Sequence, residues 1–253
     1  MKNLFKTIIY GDPGVGKTVL LGSVTNVPEL CPAILLDFEG NTDSIESKCH
    51  YLTKLDDEPD PTKLNVYRLV SGVTKLPSFT KKGELRNPRI DAMQTYEEAL
   101  NYLLSAKHPY KTIMLDSLTE QDYWALNWII ERFPIKRVHD DVPDKPDYRK
   151  LLTLQTDIFI VLRDCPYHVF VTCHTQTDEK TGKITPKLNG QLRTVLPGLF
   201  KQTALLRVAN EKRILHFQPY GNYECKDCTE GGLMGDKVTE PTLSKLYNLR
   251  YKQ

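Results

Sequence analysis

Apolar residues in this chain come in short runs rather than long stripes. Lys6–Tyr10, Ala33–Phe38, Asn65–Val70, Thr112–Asp116 and His168–Thr172 are five or six residues each and almost wholly apolar inside. That is the signature of buried strands covered on both faces. Later runs at Ala204–Val208, Arg213–Gln218 and Tyr223–Lys226 also read as strands. Helical periodicity fills Lys17–Val24, Tyr96–Ala106, Glu120–Arg132 and Arg149–Arg163, and residues 241–251 read as a short closing helix. Alternating strand and helix predicts an α/β fold, a mostly parallel central sheet flanked by helices, with the C-terminal strands free to run antiparallel. No repeat divides the chain, so residues 1–253 are expected to form a single domain. Residues 71–91, 133–148 and 175–197 read as long loops; the first carries Lys75, Lys81, Lys82, Arg86 and Arg89.

The first strand runs into GDPGVGKT, residues 11–18, which fits the P-loop pattern, and a helical run follows directly. Its glycines let successive backbone N–H groups turn inward around a β-phosphate, and the helix N-terminus adds partial positive charge. Gly11, Asp12, Pro13, Gly14, Val15, Gly16, Lys17, Thr18 and Val19 are therefore expected to hold the phosphates of ATP. Lys17 reaches the β- and γ-phosphates and the Thr18 hydroxyl ligates Mg2+ in this arrangement.

A second magnesium ligand is expected at the end of another strand, and Thr112–Asp116 supplies it as Asp116. Hydrolysis also needs a group that activates water. Glu39 stands just past the carboxyl end of its strand, the edge where open parallel sheets bind ligands. It is assigned as the water-activating carboxylate, with Asp37 as its competitor. Asp37-x-x-Gly40 and Thr53-Lys54-Leu55-Asp56 mimic GTPase motifs, but no strand separates them, and the Asp116 strand would be left unexplained.

Net charge is +2, from 34 basic and 32 acidic residues, so any nucleic-acid surface has to be local. No apolar stretch approaches a membrane span, and the N-terminus shows no signal-peptide core; cytoplasmic placement is expected. Six scattered cysteines do not make a secreted disulfide scaffold. Cys225-x-x-Cys228 lacks the two further ligands of a zinc site.

Together GDPGVGKT, ILLDFEG and TIMLDSLT, with DYRKL, VFVTCH and KITPKLNGQLRTVLPGLF, make the chain similar to the RecA-like P-loop core. It resembles most the phage-encoded ATPases of the Sak group, implicated in recombination and single-strand annealing. The resemblance implies ATP-dependent single-stranded-DNA binding, with slow hydrolysis as an assembly switch. It implies His174 or Gln176 as γ-phosphate sensor, and DNA contacts from Lys136, Arg137, Lys180, Lys183, Lys187 and Arg193. It implies a homo-oligomer, ring or filament, with ATP at the subunit interface and Lys226 completing the neighbour's site. Cys228 stands where the family carries a second cation. A single-strand binding protein is a further implied partner. The family's usual tether ahead of the core has no room before the first strand, so assembly is expected through the core or tail. A motor-type ATPase (helicase or helicase loader) and a small-molecule kinase are the alternatives, although no arginine-rich lid follows Asp116. The AAA+ class usually adds a C-terminal helical lid, and the strands after Val208 argue against it.

Overall fold

In the computed structural model the runs KTIIY, AILLD and TIMLD are buried at every position, because each strand feeds two cores at once. Successive side chains of a strand point to opposite faces. Ile8 and Tyr10, Ile34 and Leu36, and Ile113 and Leu115 enter one core. Ile9, Ala33, Leu35 and Met114 enter the other. The structure describes residues 4–69, 78–79, 85–86, 89–105, 107–133, 143–229 and 235–252.

The strands are β1 (Lys6–Tyr10), β2 (Ala33–Asp37), β3 (Cys49–Leu52), β4 (Leu64–Arg68), β5 (Ser78–Phe79), β6 (Leu85–Arg86), β7 (Thr112–Asp116), β8 (His168–Cys173), β9 (Thr175–Thr177), β10 (Ile184–Pro186), β11 (Gln202–Ala209), β12 (Lys212–His216), β13 (Lys226–Asp227) and β14 (Lys237–Thr239). The helices are α1 (Lys17–Gly22), α2 (Arg89–Leu104), α3 (Leu118–Arg132), α4 (Lys145–Asp164), α5 (Leu192–Leu199) and α6 (Leu243–Tyr251). The main sheet runs β14-β12-β11-β1-β8-β7-β2-β4-β3, with β13 beside β11. From β11 to β3 neighbouring strands are parallel. Beyond β11 the pairing turns antiparallel, as expected for the C-terminal strands. Helices α2 to α5 cover one face, and α1 and α6 cover the other. No helix among the described residues is long and apolar enough to cross a membrane.

Several boundaries differ from the sequence reading. Residues 175–197 are not an open loop: β9 and β10 form a hairpin, and α5 starts at Leu192. Helix α4 starts at Lys145, four residues earlier than its apolar period, because Asp144 caps it in a reciprocal box with Asp147 and Pro146 fits its first turn. Lys136 and Arg137, expected at a DNA surface, lie outside the described residues, as do Lys75, Lys81 and Lys82.

Two buried charges tie the layers together. Lys6 Nζ donates to the carbonyls of Leu162 (2.6 Å) and Cys165 (2.9 Å), satisfying the end of α4. Asp122 on α3 accepts from the backbone N–H (2.7 Å) and side-chain amide (3.0 Å) of Asn189, anchoring the segment that leads into α5. Burial pushes the Asp122 carboxyl up to about 6, against the hydrogen bonds from Asn189 and Gln155. A carboxyl raised in the folded state keeps its proton longer there than in the unfolded chain. Its cost to stability is therefore absent near pH 4, grows as pH rises towards 6, and is complete above that. Asp122→Asn is expected to gain up to about 2 kcal/mol over the wild type at pH 7, with the gain shrinking towards pH 4. Urea unfolding at both pH values checks this; a gain of the same size at both would remove ionisation as its cause.

Candidate nucleotide site

Tyr10 ends β1 and the chain enters the phosphate loop at once. Gly11 passes so close to β11 that a Cβ there would stand 2.2 Å from the Leu206 carbonyl oxygen. Gly16 has φ +96°, a left-handed conformation that glycine adopts without strain. These two positions explain why the loop needs glycine at its first and last turns.

Lys17, the first residue of α1, is buried and its Nζ donates to the carbonyls of Gly11 (2.9 Å) and Asp12 (3.0 Å). Burial lowers its pKa, while the carboxylates of Asp116 and Glu39 oppose the shift. Thr18 Oγ1 donates to Asp116 Oδ2 at 2.6 Å, and the Thr172 hydroxyl bonds the other carboxylate oxygen. Burial raises the pKa of Asp116, against those two hydrogen bonds. Thr18 and Asp116 thus stand paired at the strand ends. Magnesium takes one or two carboxylates from a protein and completes its shell with phosphates and water. A hydroxyl beside a single carboxylate suits that donor set. Among the described residues no cluster of three or more His, Cys, Asp or Glu forms a closed metal cage.

The turn after β2 presents Glu39. Asp37 Oδ1 accepts the backbone N–H groups of Glu39 (3.1 Å) and Gly40 (2.8 Å), folding the chain sharply at the sheet edge. Asp37 is buried, and burial pushes its carboxyl up to about 6. Asp37, the competitor in the sequence, therefore shapes the turn that positions Glu39. Glu39 Oε1 accepts from the Ser117 hydroxyl and lies 3.0 Å from His174 Nε2. Burial pushes the Glu39 carboxyl up, but the hydrogen bonds from His174 and Ser117 outweigh it and hold the group down at about 2.

His174 follows β8 and stands between the two machines of the site, with Nδ1 3.4 Å from Lys17 Nζ and Nε2 on Glu39. Its backbone N–H donates to Thr119 (3.0 Å), and its carbonyl accepts from the Lys187 N–H (2.8 Å). The next residue, Thr175, bonds Asp12 of the phosphate loop. Pro13, Gly14, Gly16, Lys17, Thr18, Val19, Glu39, Asn41, Ser44, Asp116, His174 and Arg213 enclose a cavity of about 540 Å³.

Of the expected residues, Pro13, Gly14, Gly16, Lys17, Thr18, Val19, Asp116, Glu39 and His174 meet in this cavity, while Gly11, Asp12 and Val15 belong to the loop without lining it. Gln176 does not; its amide donates to the Leu188 carbonyl (3.4 Å) inside the hairpin region. Lys226 does not either. It lies on β13 opposite Thr203, donates to the Gly198 carbonyl (3.2 Å), and borders a separate cavity of about 590 Å³. Lys183 is ion-paired with Glu224 (2.7 Å) and Arg193 with Asp178 (2.9 Å), while Lys180 and Lys187 are exposed. Cys225 is buried, Cys228 is exposed, and both are free thiols. Thr53 and Lys54 form a surface turn closed by Asp57, past the edge strand β3 and far across the sheet from β1. Three cavity residues, Asn41, Ser44 and Arg213, had no role in the sequence reading, and neither did Ser117, which bonds Glu39 from beside the cavity. Ser117 follows Asp116 directly, and that adjacency was its only signal. Arg213 comes from a late strand whose place beside the loop depends on antiparallel pairing.

A family model described as "AAA domain" matches residues 76–229. This corrects the sequence reading that set the AAA class aside for want of a helical lid. After Val208 the described residues form β12, β13, β14 and the nine-residue α6. No curated protein matches the chain. Among solved structures it is similar to an ATPase from the type III secretion system of pathogenic bacteria, at 16% identity and TM-score 0.45, over 81% of this chain and 51% of that one. The chain thus spans about half the length of that ATPase. It is also similar to the RadB recombinase, at 14% identity and TM-score 0.44, over 86% of each chain.

Proposed function

The chain belongs to the AAA-domain family of P-loop proteins, and from that premise we propose that it is an ATPase whose γ-phosphate state is passed by His174 to the β9–β10 hairpin, where single-stranded DNA binds. The observation that carries the reading is the double contact of His174, one ring nitrogen towards Lys17 and the other on Glu39. A γ-phosphate held by Lys17 competes for the His174 ring. When that ring turns to the phosphate, Glu39 loses a hydrogen bond that holds its basicity down. Glu39 then accepts a proton from the attacking water, and Ser117 keeps its carboxylate aimed. Mg2+, held by Thr18 and Asp116, would neutralise charge on the phosphates.

The outward path starts at the same residue. Thr175 at the start of the hairpin bonds Asp12 of the phosphate loop, and Lys187 just past its end donates its N–H to the His174 carbonyl, so one end is tied to the loop and the other to the sensor. Exposed Lys180 and Lys187 supply cations there, while Lys183 and Arg193 are engaged by acidic neighbours. Binding would rest on a few phosphate contacts and weaken with salt. A role in phage-type recombination or annealing, a homo-oligomer with Lys226 acting on the neighbour's nucleotide, and a single-strand binding partner belong to this reading as its finer parts. The support for them is the likeness of KITPKLNGQLRTVLPGLF and VFVTCH to the Sak group.

The test is linkage. Fluorescence anisotropy of a labelled oligonucleotide should show tighter binding with a non-hydrolysable ATP analogue and Mg2+, by about 5- to 150-fold. The oligonucleotide should raise analogue affinity by the same factor. His174→Ala should keep analogue binding and lose most of the coupling. Equal DNA affinity with and without analogue would end the DNA reading.

A further inference from the structure

The sheet order gives the bound nucleotide a direction. Asp116, Glu39 and His174 stand at the ends of β7, β2 and β8, all on one side of β1. Strands β11 and β12 lie on the other side. With the β-phosphate in the loop, the γ-phosphate lies towards β8 and the nucleoside towards β11 and β12. Arg213 on β12 is the charged side chain that borders the cavity from that side.

Arg213 is held in place there. Its strand pairs with β11 through Val208 and with β14 through the next residue, Ile214. Its backbone N–H donates to Glu240 Oε1 (2.7 Å), and its carbonyl accepts from the Glu240 N–H (2.7 Å). The side chain crosses the phosphate loop, where Nε donates to the Val15 carbonyl at 3.1 Å. It lies so close to Gly16 that a Cβ there would come within 2.5 Å of Nε. No acceptor among the described residues holds its terminal nitrogens, and the residue is exposed. Nε is thus anchored while the terminal nitrogens of the guanidinium are left at the border of the cavity.

We propose that Arg213 is the nucleoside clamp of this site, its guanidinium stacked flat on the purine of the bound nucleotide. A planar delocalised cation stacks on an aromatic ring as an ammonium does not. The inference rests on the nucleotide reading above and adds to it the residue that grips the base. Neither the phosphate-loop pattern nor the γ-phosphate chemistry assigns that contact.

The experiment compares ATP with inorganic tripolyphosphate, which carries the phosphates and no base. Calorimetric titration with Mg2+ of the wild type, Arg213→Gln and Arg213→Lys gives two affinities each. Both variants should bind ATP about tenfold more weakly and tripolyphosphate within about twofold of the wild type, which also shows the loop intact. In steady state the loss should fall on KM rather than kcat. Equal weakening for both ligands would overturn the assignment and make Arg213 a prop of the loop or a phosphate contact. Full ATP affinity in Arg213→Lys would overturn stacking. A wild type that binds neither ligand would overturn the nucleotide reading itself, and this proposal with it.

Discussion

Lys17→Ala is expected to weaken ATP binding by at least 100-fold and abolish hydrolysis. The side chain is 7% exposed, and its ammonium is oriented by the Gly11 and Asp12 carbonyls. Hydrogen bonds from a charged group contribute about 1.5–3 kcal/mol each, and Lys17 reaches two phosphates. Its removal has a second cost. Asp116 and Glu39 both favour the charged lysine electrostatically. Without it those two carboxylates face an anionic ligand with no fixed cation between them. Titration with a fluorescent ATP analogue measures the loss. Affinity within about threefold of the wild type would remove Lys17 from the phosphate site.

Glu39→Gln is expected to lower steady-state turnover by about 10²- to 10⁴-fold while nucleotide affinity stays near the wild-type value, as for the loss of a general base. Gln keeps the length and accepts a hydrogen bond from Ser117 or His174, but it takes no proton. The resting carboxylate at about 2 is a poor base, since proton transfer is most effective near the working pH. Under the proposed reading the γ-phosphate has to draw His174 away before Glu39 becomes competent, which predicts slow turnover in the resting state. The same depression gives a stability signature. A carboxyl lowered from its ordinary 4.5 adds stability that is fully present above about pH 4.5 and is lost as pH falls towards 2. Glu39→Gln should therefore be less stable than the wild type at pH 7, and the difference should narrow below pH 4.

Much of this site was legible in the sequence because its parts are local. A phosphate loop between a strand and a helix fixes Lys17 and Thr18 by spacing alone, and TIMLD ends in an aspartate wherever its strand lies. Glu39 was legible as a charge just past a buried strand. Its separation from Asp37 needed coordinates, because the same turn buries one carboxylate and presents the other. Non-local pairing hid the rest. Arg213 reaches Val15 across 198 positions of sequence, through antiparallel strands whose order no local pattern states. Strand β3 was missed because Cys49–Leu52 is an edge strand with an exposed tyrosine and little apolar signal. The hairpin at residues 175–186 was read as loop because its two strands are three residues each and largely polar.

The most direct test of the central claim, that Glu39 drives γ-phosphate cleavage in the Lys17 site, is single-turnover cleavage of γ-labelled ATP. Enzyme is held in excess with Mg2+ present, and wild type and Glu39→Gln are each kept above their measured Kd. This isolates the chemical step from product release. The account predicts a wild-type cleavage phase and a Glu39→Gln phase at least about 100-fold slower with ATP still bound. Cleavage at the wild-type rate in Glu39→Gln would contradict it.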